Sequence, residues 1–162
     1  MLEVSAICPN EKLQEYLQGR IVAKDANGKD VTVSVFCSNK VPTSMLPDDF
    51  ISIEMNGSVY SLGKDIDFAS GYLMITLYVR LNQNGTVKDK RISKLLAQID
   101  SLVDKANTGG FFYRYDSSRI LMPSYADQAI GYSTTILNLY WTTTSNFNNQ
   151  NSIENGNSNQ QN

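Results

Sequence analysis

Two pairs of carboxylates, Asp48 with Asp49 and Asp65 with Asp67, come nearest to chemistry in this sequence. Neighbouring acids can share a divalent cation, or divide the roles of general acid and general base. Each pair stands alone, and Asp48-Asp49 follows Pro47 and opens a strand-like run, an ordinary place for turn acids. The chain has no histidine, which removes the commonest general base and the commonest zinc ligand together. Cys8 and Cys37 are the only cysteines and form no C-x-x-C motif. Two reduced, buried thiols are expected, with a single disulfide as the alternative. There is no glycine-rich phosphate loop, no G-x-S-x-G and no nucleophile beside an evident base. The expectation is therefore a protein that is not an enzyme, with no catalytic residue, no metal site and no cofactor.

Residues suited to binding are easier to find. Lys88, Lys90, Arg91 and Lys94 crowd the start of a helical stretch, while Asp100 and Asp104 sit near its end. A helix dipole prefers the opposite arrangement, at stakes of tenths of a kcal/mol per charge. The cluster reads either as a contact surface for a neighbouring subunit or for DNA, or simply as a solvated face. The aromatic run Phe111, Phe112, Tyr113 and Tyr115 could stack nucleobases, although an aromatic strand in a sheet core explains it without a ligand. Asn56-Gly57-Ser58 and Asn84-Gly85-Thr86 match a glycosylation sequon and are read as turns.

The elements that must position these residues show two clear periodicities between Gly71 and Thr108. Leu73, Ile75, Leu77, Val79 and Leu81 alternate with Tyr72, Met74, Thr76, Tyr78 and Arg80, the period of a strand with one face on a core. From Ile92 the apolar residues Leu95, Leu96, Ile99, Leu102, Val103 and Ala106 follow one stripe of a helix, with Thr86 and Asp89 as an opening capping box. Upstream, Asn10–Gln18 predicts a short helix capped by Asn10, and Arg20–Lys24 with Asp30–Phe36 a hairpin around Asn27-Gly28. Cys37–Asp49, with Pro42 and Pro47, is an irregular connection. Phe50–Met55 is a strand leading through Asn56-Gly57 to a second hairpin or a long bent excursion. Phe111–Tyr115 and Tyr132–Thr143 are strands, with a short segment at Arg119–Met122 between them. The expected fold class is α+β: a mostly antiparallel sheet of five to seven strands, one long amphipathic helix packed on one face, and an extended C-terminal arm.

Residues 1–144 make one domain on this reading, and 145–162 an Asn/Gln-rich arm whose large apolar residues are Phe147 and Ile153 alone. Ile66 and Phe68 stand out in the same way on the polar stretch Gly63–Ser70. A net charge of -2 gives no general attraction to nucleic acid or to an anionic membrane. No run of apolar residues is long enough to span a bilayer, and the first residues lack a signal-peptide pattern, so use without secretion is expected.

From Asp48 onward the order DDFISIEM, the excursion GSVYSLGKDIDFAS, YLMITLYVRL, ISKLLAQIDSLVDK, FFYRYD and ILNLYWTT resembles the tail-terminator and tail-completion family of tailed bacteriophages. The part before Asp48 departs from the pattern, since that family usually opens with a substantial helix, and the Asn/Gln-rich arm is an addition. The resemblance implies a virion structural protein of the head–tail junction, made in the host cytoplasm. It implies a ring of six or twelve copies docked to other neck, portal-side or tail proteins, with DNA only as cargo passing through and no membrane partner. On that reading the interface residues are Ile66, Phe68, Lys88, Lys90, Arg91, Lys94, Phe147 and Ile153. The alternative is a monomeric module that binds a small ligand or nucleic acid through residues 111–115.

Overall fold

The computed structural model describes residues 8–37, 40–61, 69–116 and 124–143. In chain order these form α1 (Pro9–Leu17), β1 (Val22–Lys24), β2 (Asp30–Thr32), β3 (Ser34–Cys37), β4 (Asp49–Ser61), β5 (Ala69–Arg80), α2 (Asp89–Val103), β6 (Asn107–Thr108), β7 (Phe111–Tyr115), β8 (Tyr125–Asp127) and β9 (Tyr132–Thr143). β1 and β2 pair as a separate hairpin, and the other seven strands make one sheet in the order β3-β4-β5-β9-β7-β6, with β8 paired to β9.

This architecture corrects the expected α+β arrangement of one long helix packed on an antiparallel sheet. Strands make up 47% of the described residues, there are two short helices, and the sheet is curled and mixed. The mixing has a local cause. The Asn27-Gly28 hairpin ends at Thr32, and the chain then continues through buried Val33 into β3, which lies parallel to β4 with Val35 opposite Ile51 and Cys37 opposite Ile53. The predicted hairpin strand Asp30–Phe36 is thus two strands in two sheets.

Along the sheet, alternate side chains point to one core. Val35, Ile51, Ile53, Leu73, Ile75, Leu77, Val79, Leu137, Leu139, Trp141, Phe111 and Tyr113 are all buried in it. α2 adds Ile92, Leu95, Ile99 and Val103, and α1 adds Leu13 and Leu17. α2 runs back along β5 from the end marked by Arg80, because only a short turn separates them. That turn uses Thr86 differently from the predicted capping box: its hydroxyl donates to the Asn84 side chain, and α2 starts at Asp89 with Lys88 at the N-cap position and no side-chain cap. α1 begins one residue earlier than expected, with Pro9 in its first turn, where the missing N–H costs nothing. At Asn56-Gly57 the chain neither turns into a second hairpin nor leaves the sheet as far as Ser61, and the rest of the expected excursion lies outside the described residues. β4 continues through Gly57, whose φ of +83° marks an irregularity in its register with β5.

The curl brings the two sides of the sheet to α1. On one side, Gln14 Nε2 donates to the Val35 carbonyl at 3.0 Å and the Val35 N–H donates to Gln18 Oε1 at 3.0 Å. On the other, the Tyr113 hydroxyl donates to the Pro9 carbonyl at 2.7 Å. Burial pushes the Tyr113 phenol well above its ordinary value. Burial likewise raises Tyr115, with Asp100 adding to the effect, and burial raises the Cys37 thiol. The folded state therefore holds these protons more tightly than the unfolded chain. The stability they contribute is complete below the unfolded values, near 9.0 for the thiol and 10.0 for the phenols, and is lost as pH rises past them. Urea midpoints are expected to fall from about pH 9 upward, with Tyr113 alone contributing about 1.4 kcal/mol per pH unit above its unfolded value. The Tyr113→Phe variant should show a visibly shallower alkaline slope.

Candidate functional site

One end of the sheet, where β4 begins, β5 ends and β9 begins, is built from side chains that tie distant segments together. Arg80 Nε donates to Asp48 Oδ1 at 2.7 Å, and its second amino group reaches both the Leu46 carbonyl at 3.1 Å and the Tyr132 hydroxyl at 2.9 Å. The guanidinium lies 4.9 Å from the centre of the Tyr132 ring, and the Tyr132 hydroxyl donates to the Pro47 carbonyl at 2.7 Å. Leu46, Pro47 and Asp48 are thus clamped to the sheet. The residue just before them, Met45, is 98% exposed and sits at φ +55°, a left-handed conformation that L side chains seldom adopt.

Next to this clamp, Arg91 of α2 grips Asp49 with both arms of its guanidinium, at 2.9 and 2.5 Å, and also donates to the Lys24 carbonyl at 2.7 Å. The Asp49 side chain is 6% exposed. This contact raises the Arg91 pKa above its ordinary value, with burial opposing it. Two turns on along the same face of α2, Gln98 Oε1 accepts the Val22 N–H and its Nε2 donates to the Val22 carbonyl, both at 2.9 Å. Arg91 and Gln98 together fasten the outer edge of β1 to α2, so the hairpin is held in place beside the clamp.

Of the two acid pairs in the sequence, Asp48-Asp49 is accounted for in structural terms. Asp48 and Asp49 are adjacent in sequence, but each carboxylate faces a different arginine, so at this pair the acids form ion pairs with bases rather than a shared cation site. Asp65 and Asp67 lie outside the described residues. Among the described residues no group of three or more His, Cys, Asp or Glu could hold a metal ion, and no helix is long and apolar enough to cross a membrane.

The basic cluster divides. Arg91 is occupied by Asp49 and Lys24, whereas Lys90 and Lys94 are exposed beside a 420 Å³ cavity between the hairpin and α2, and Lys88 stands at the start of α2. Ile66, Phe68, Phe147 and Ile153 lie outside the described residues, as do the segment Arg119–Met122 and the arm. The aromatic run also divides: Phe111 and Tyr113 are buried, Phe111 with its ring edge-on to Trp141 at 5.6 Å, while Phe112 and Arg114 point to the opposite face.

At the far end of the sheet Phe112 and Arg114 meet Tyr72 and Tyr140. A 590 Å³ cavity there is bordered by these four residues and by Asp104 and Asp116, among others. Tyr72 and Tyr140 are edge to face at 5.5 Å, and the Arg114 guanidinium lies 4.9 Å from the Tyr140 ring centre.

Sequence reasoning missed the exposed apolar side chains at the clamped end. Five large apolar residues are exposed among the described residues: Met45, Tyr125, Ile130, Val31 and Val22. Tyr125 pairs with Thr134 near the start of β9, and Ile130 sits in the turn that delivers Tyr132. Val31 borders the same groove as Pro47 and Asp48, and Val22 lies on the docked hairpin. A lone methionine between Pro42 and Pro47 was the available signal, but only the fold reveals that it shares an end with Ile130 and Tyr125. No family model matches this chain, and neither does any curated protein or solved structure.

Proposed function

We propose that this protein is a structural subunit that acts by assembly, contacting copies of itself and unlike neighbours, and that its setting is the head–tail junction of a tailed-phage virion. The observation that carries the assembly reading is that, among the described residues, four of the five exposed large apolar side chains, Met45, Tyr125, Ile130 and Val31, lie toward the end clamped by Arg80, Tyr132 and Arg91. Apolar anchors on pre-ordered backbone lose little entropy on docking, which is what a binding surface needs. Asp48 and Asp49, one of the two acid pairs, help hold that surface together through Arg80 and Arg91. What supports the virion setting is the order of segments from Asp48 onward, which runs β4, β5, α2, β6, β7, β8 and β9, with the short β6 and β8 added to the order of the resemblance.

Sedimentation velocity on the full chain, from about 1 μM to about 1 mM, tests this over the range of weak to moderate subunit contacts. Species heavier than the 18.1 kDa monomer should grow with concentration. Deleting 145–162 should reduce them while leaving the circular dichroism spectrum of the domain in place. A protein that remains at the monomer mass across the whole range would overturn the self-assembly reading.

A further inference from the structure

The two ends of the molecule differ in a complementary way. At the clamped end an apolar knob, Met45, projects four residues before Asp49, which Arg91 of α2 grips, and the first turns of that helix carry Lys88, Lys90 and Lys94 with Asp89 among them. Knob and helix are joined through the chain that follows Met45: Leu46 and Asp48 are held by Arg80, and Asp49 by Arg91 of α2. At the far end an aromatic cavity opens beside the end of α2, where Asp104 borders it and Asp100 lies one turn back. The Arg80 and Tyr72 rows are eight residues apart along β5, about 26 Å, and the ends of α2 are about 22 Å apart. No single copy can bring its own knob to its own cavity.

We infer that Met45 of one copy seats in the Tyr72, Phe112 and Tyr140 cavity of the next, with the lysines of the first facing Asp100 and Asp104 of the second. This head-to-tail contact rests on the assembly reading above and specifies which surfaces meet. A flexible thioether suits a site lined by three rings, since sulfur packs favourably at aromatic edges. A cavity of 590 Å³ has ample room for it. Charge accounts for the polarity of the contact. Lys88, Lys90 and Lys94 at one end of α2, offset in part by Asp89, and Asp100 with Asp104 at the other oppose the helix dipole on balance, and each group would face its opposite in a row of subunits. Asp104 and Asp116 border the cavity along with Lys105 and Arg114, the last held over the Tyr140 ring, and Asp100 one turn back on α2 tips that end to net negative charge. Because the two surfaces differ, the contact is heterologous and repeats from copy to copy.

The test uses two full-length variants, Met45→Asp, which disables the knob, and Phe112→Asp, which disables the cavity. Aspartate tolerates the left-handed backbone at position 45. Each variant alone should assemble at least about tenfold more weakly than the wild type, a loss typical of one interface anchor. Mixed in equal amounts they should form a dimer and stop at two, because one intact knob meets one intact cavity and both remaining ends are disabled. Should Phe112→Asp fail to fold by circular dichroism, Asp104→Lys takes its place on an exposed position. Variants that assemble like the wild type, or disabled variants that do not complement one another, would overturn this contact while leaving the assembly reading standing. A wild type that never leaves the monomer mass would remove both.

Discussion

Replacing Arg91 by alanine is expected to cost the fold about 3–5 kcal/mol, because it leaves the Asp49 carboxylate buried without its cation. Asp49 is 6% exposed and receives both arms of the guanidinium, so water cannot readily replace what is lost. The Lys24 carbonyl loses its donor in the same step, loosening the β1–β2 hairpin. Against a total stability of about 5–15 kcal/mol for a domain of this kind, that is a large share. The contrast with Arg80→Ala makes the prediction specific. Asp48 is 72% exposed, so the Arg80–Asp48 ion pair itself should be worth under about 1 kcal/mol. Urea unfolding of both variants, followed by Trp141 fluorescence, checks the ranking. If Arg91→Ala proves no more harmful than Arg80→Ala, the buried pair does not hold the start of β4. Arg91→Met combined with Asp49→Leu should recover most of the loss, since two apolar groups need no partner.

The Gly71→Ala variant should lose about 1–3 kcal/mol through overpacking. A Cβ at Gly71 would lie 2.9 Å from both Cζ2 and Nε1 of Trp141, closer than real side chains approach. Trp141 cannot move aside easily: it is fully buried, opposite Gly71 in the β5–β9 register and edge-on to Phe111. The added methyl must therefore shift the indole or separate the two central strands. Trp141→Phe in the Gly71→Ala background should recover part of the loss, because the smaller ring vacates the space. Chemical denaturation followed by circular dichroism reads the double-mutant cycle, and equal costs in both backgrounds would show that the contact is not the cause.

What was legible in the sequence was what depends on neighbours along the chain. Phe111–Tyr115 and Tyr132–Thr143 were read with the bounds they have, and Ile92, Leu95, Ile99 and Val103 form the buried stripe of α2. What failed depends on residues far apart in sequence. The parallel pairing of β3 with β4 is set by contacts such as Val35 with Ile51, which no local period announces. Asn56-Gly57 has the composition of a hairpin turn, yet β4 passes through it with only a shift of register, and Tyr60 and Ser61 still find partners in Ser70 and Ala69. The acid pair looked like possible chemistry because the arginines that occupy Asp48 and Asp49 lie 32 and 42 positions away. The knob at Met45 was hidden for the same reason, since its clamp comes from Arg80 and Tyr132.

The amides of Gln14 and Gln18 meet the Val35 peptide group just as another strand would. A sheet finished in this way has a fixed width. An incoming extended segment could add at β3 only by expelling both glutamines and lifting α1 from the core, so strand addition of the amyloid kind is blocked at that margin without proline or charge. Any larger structure built from this subunit through that side must grow by contact between completed surfaces, never by lengthening the ladder.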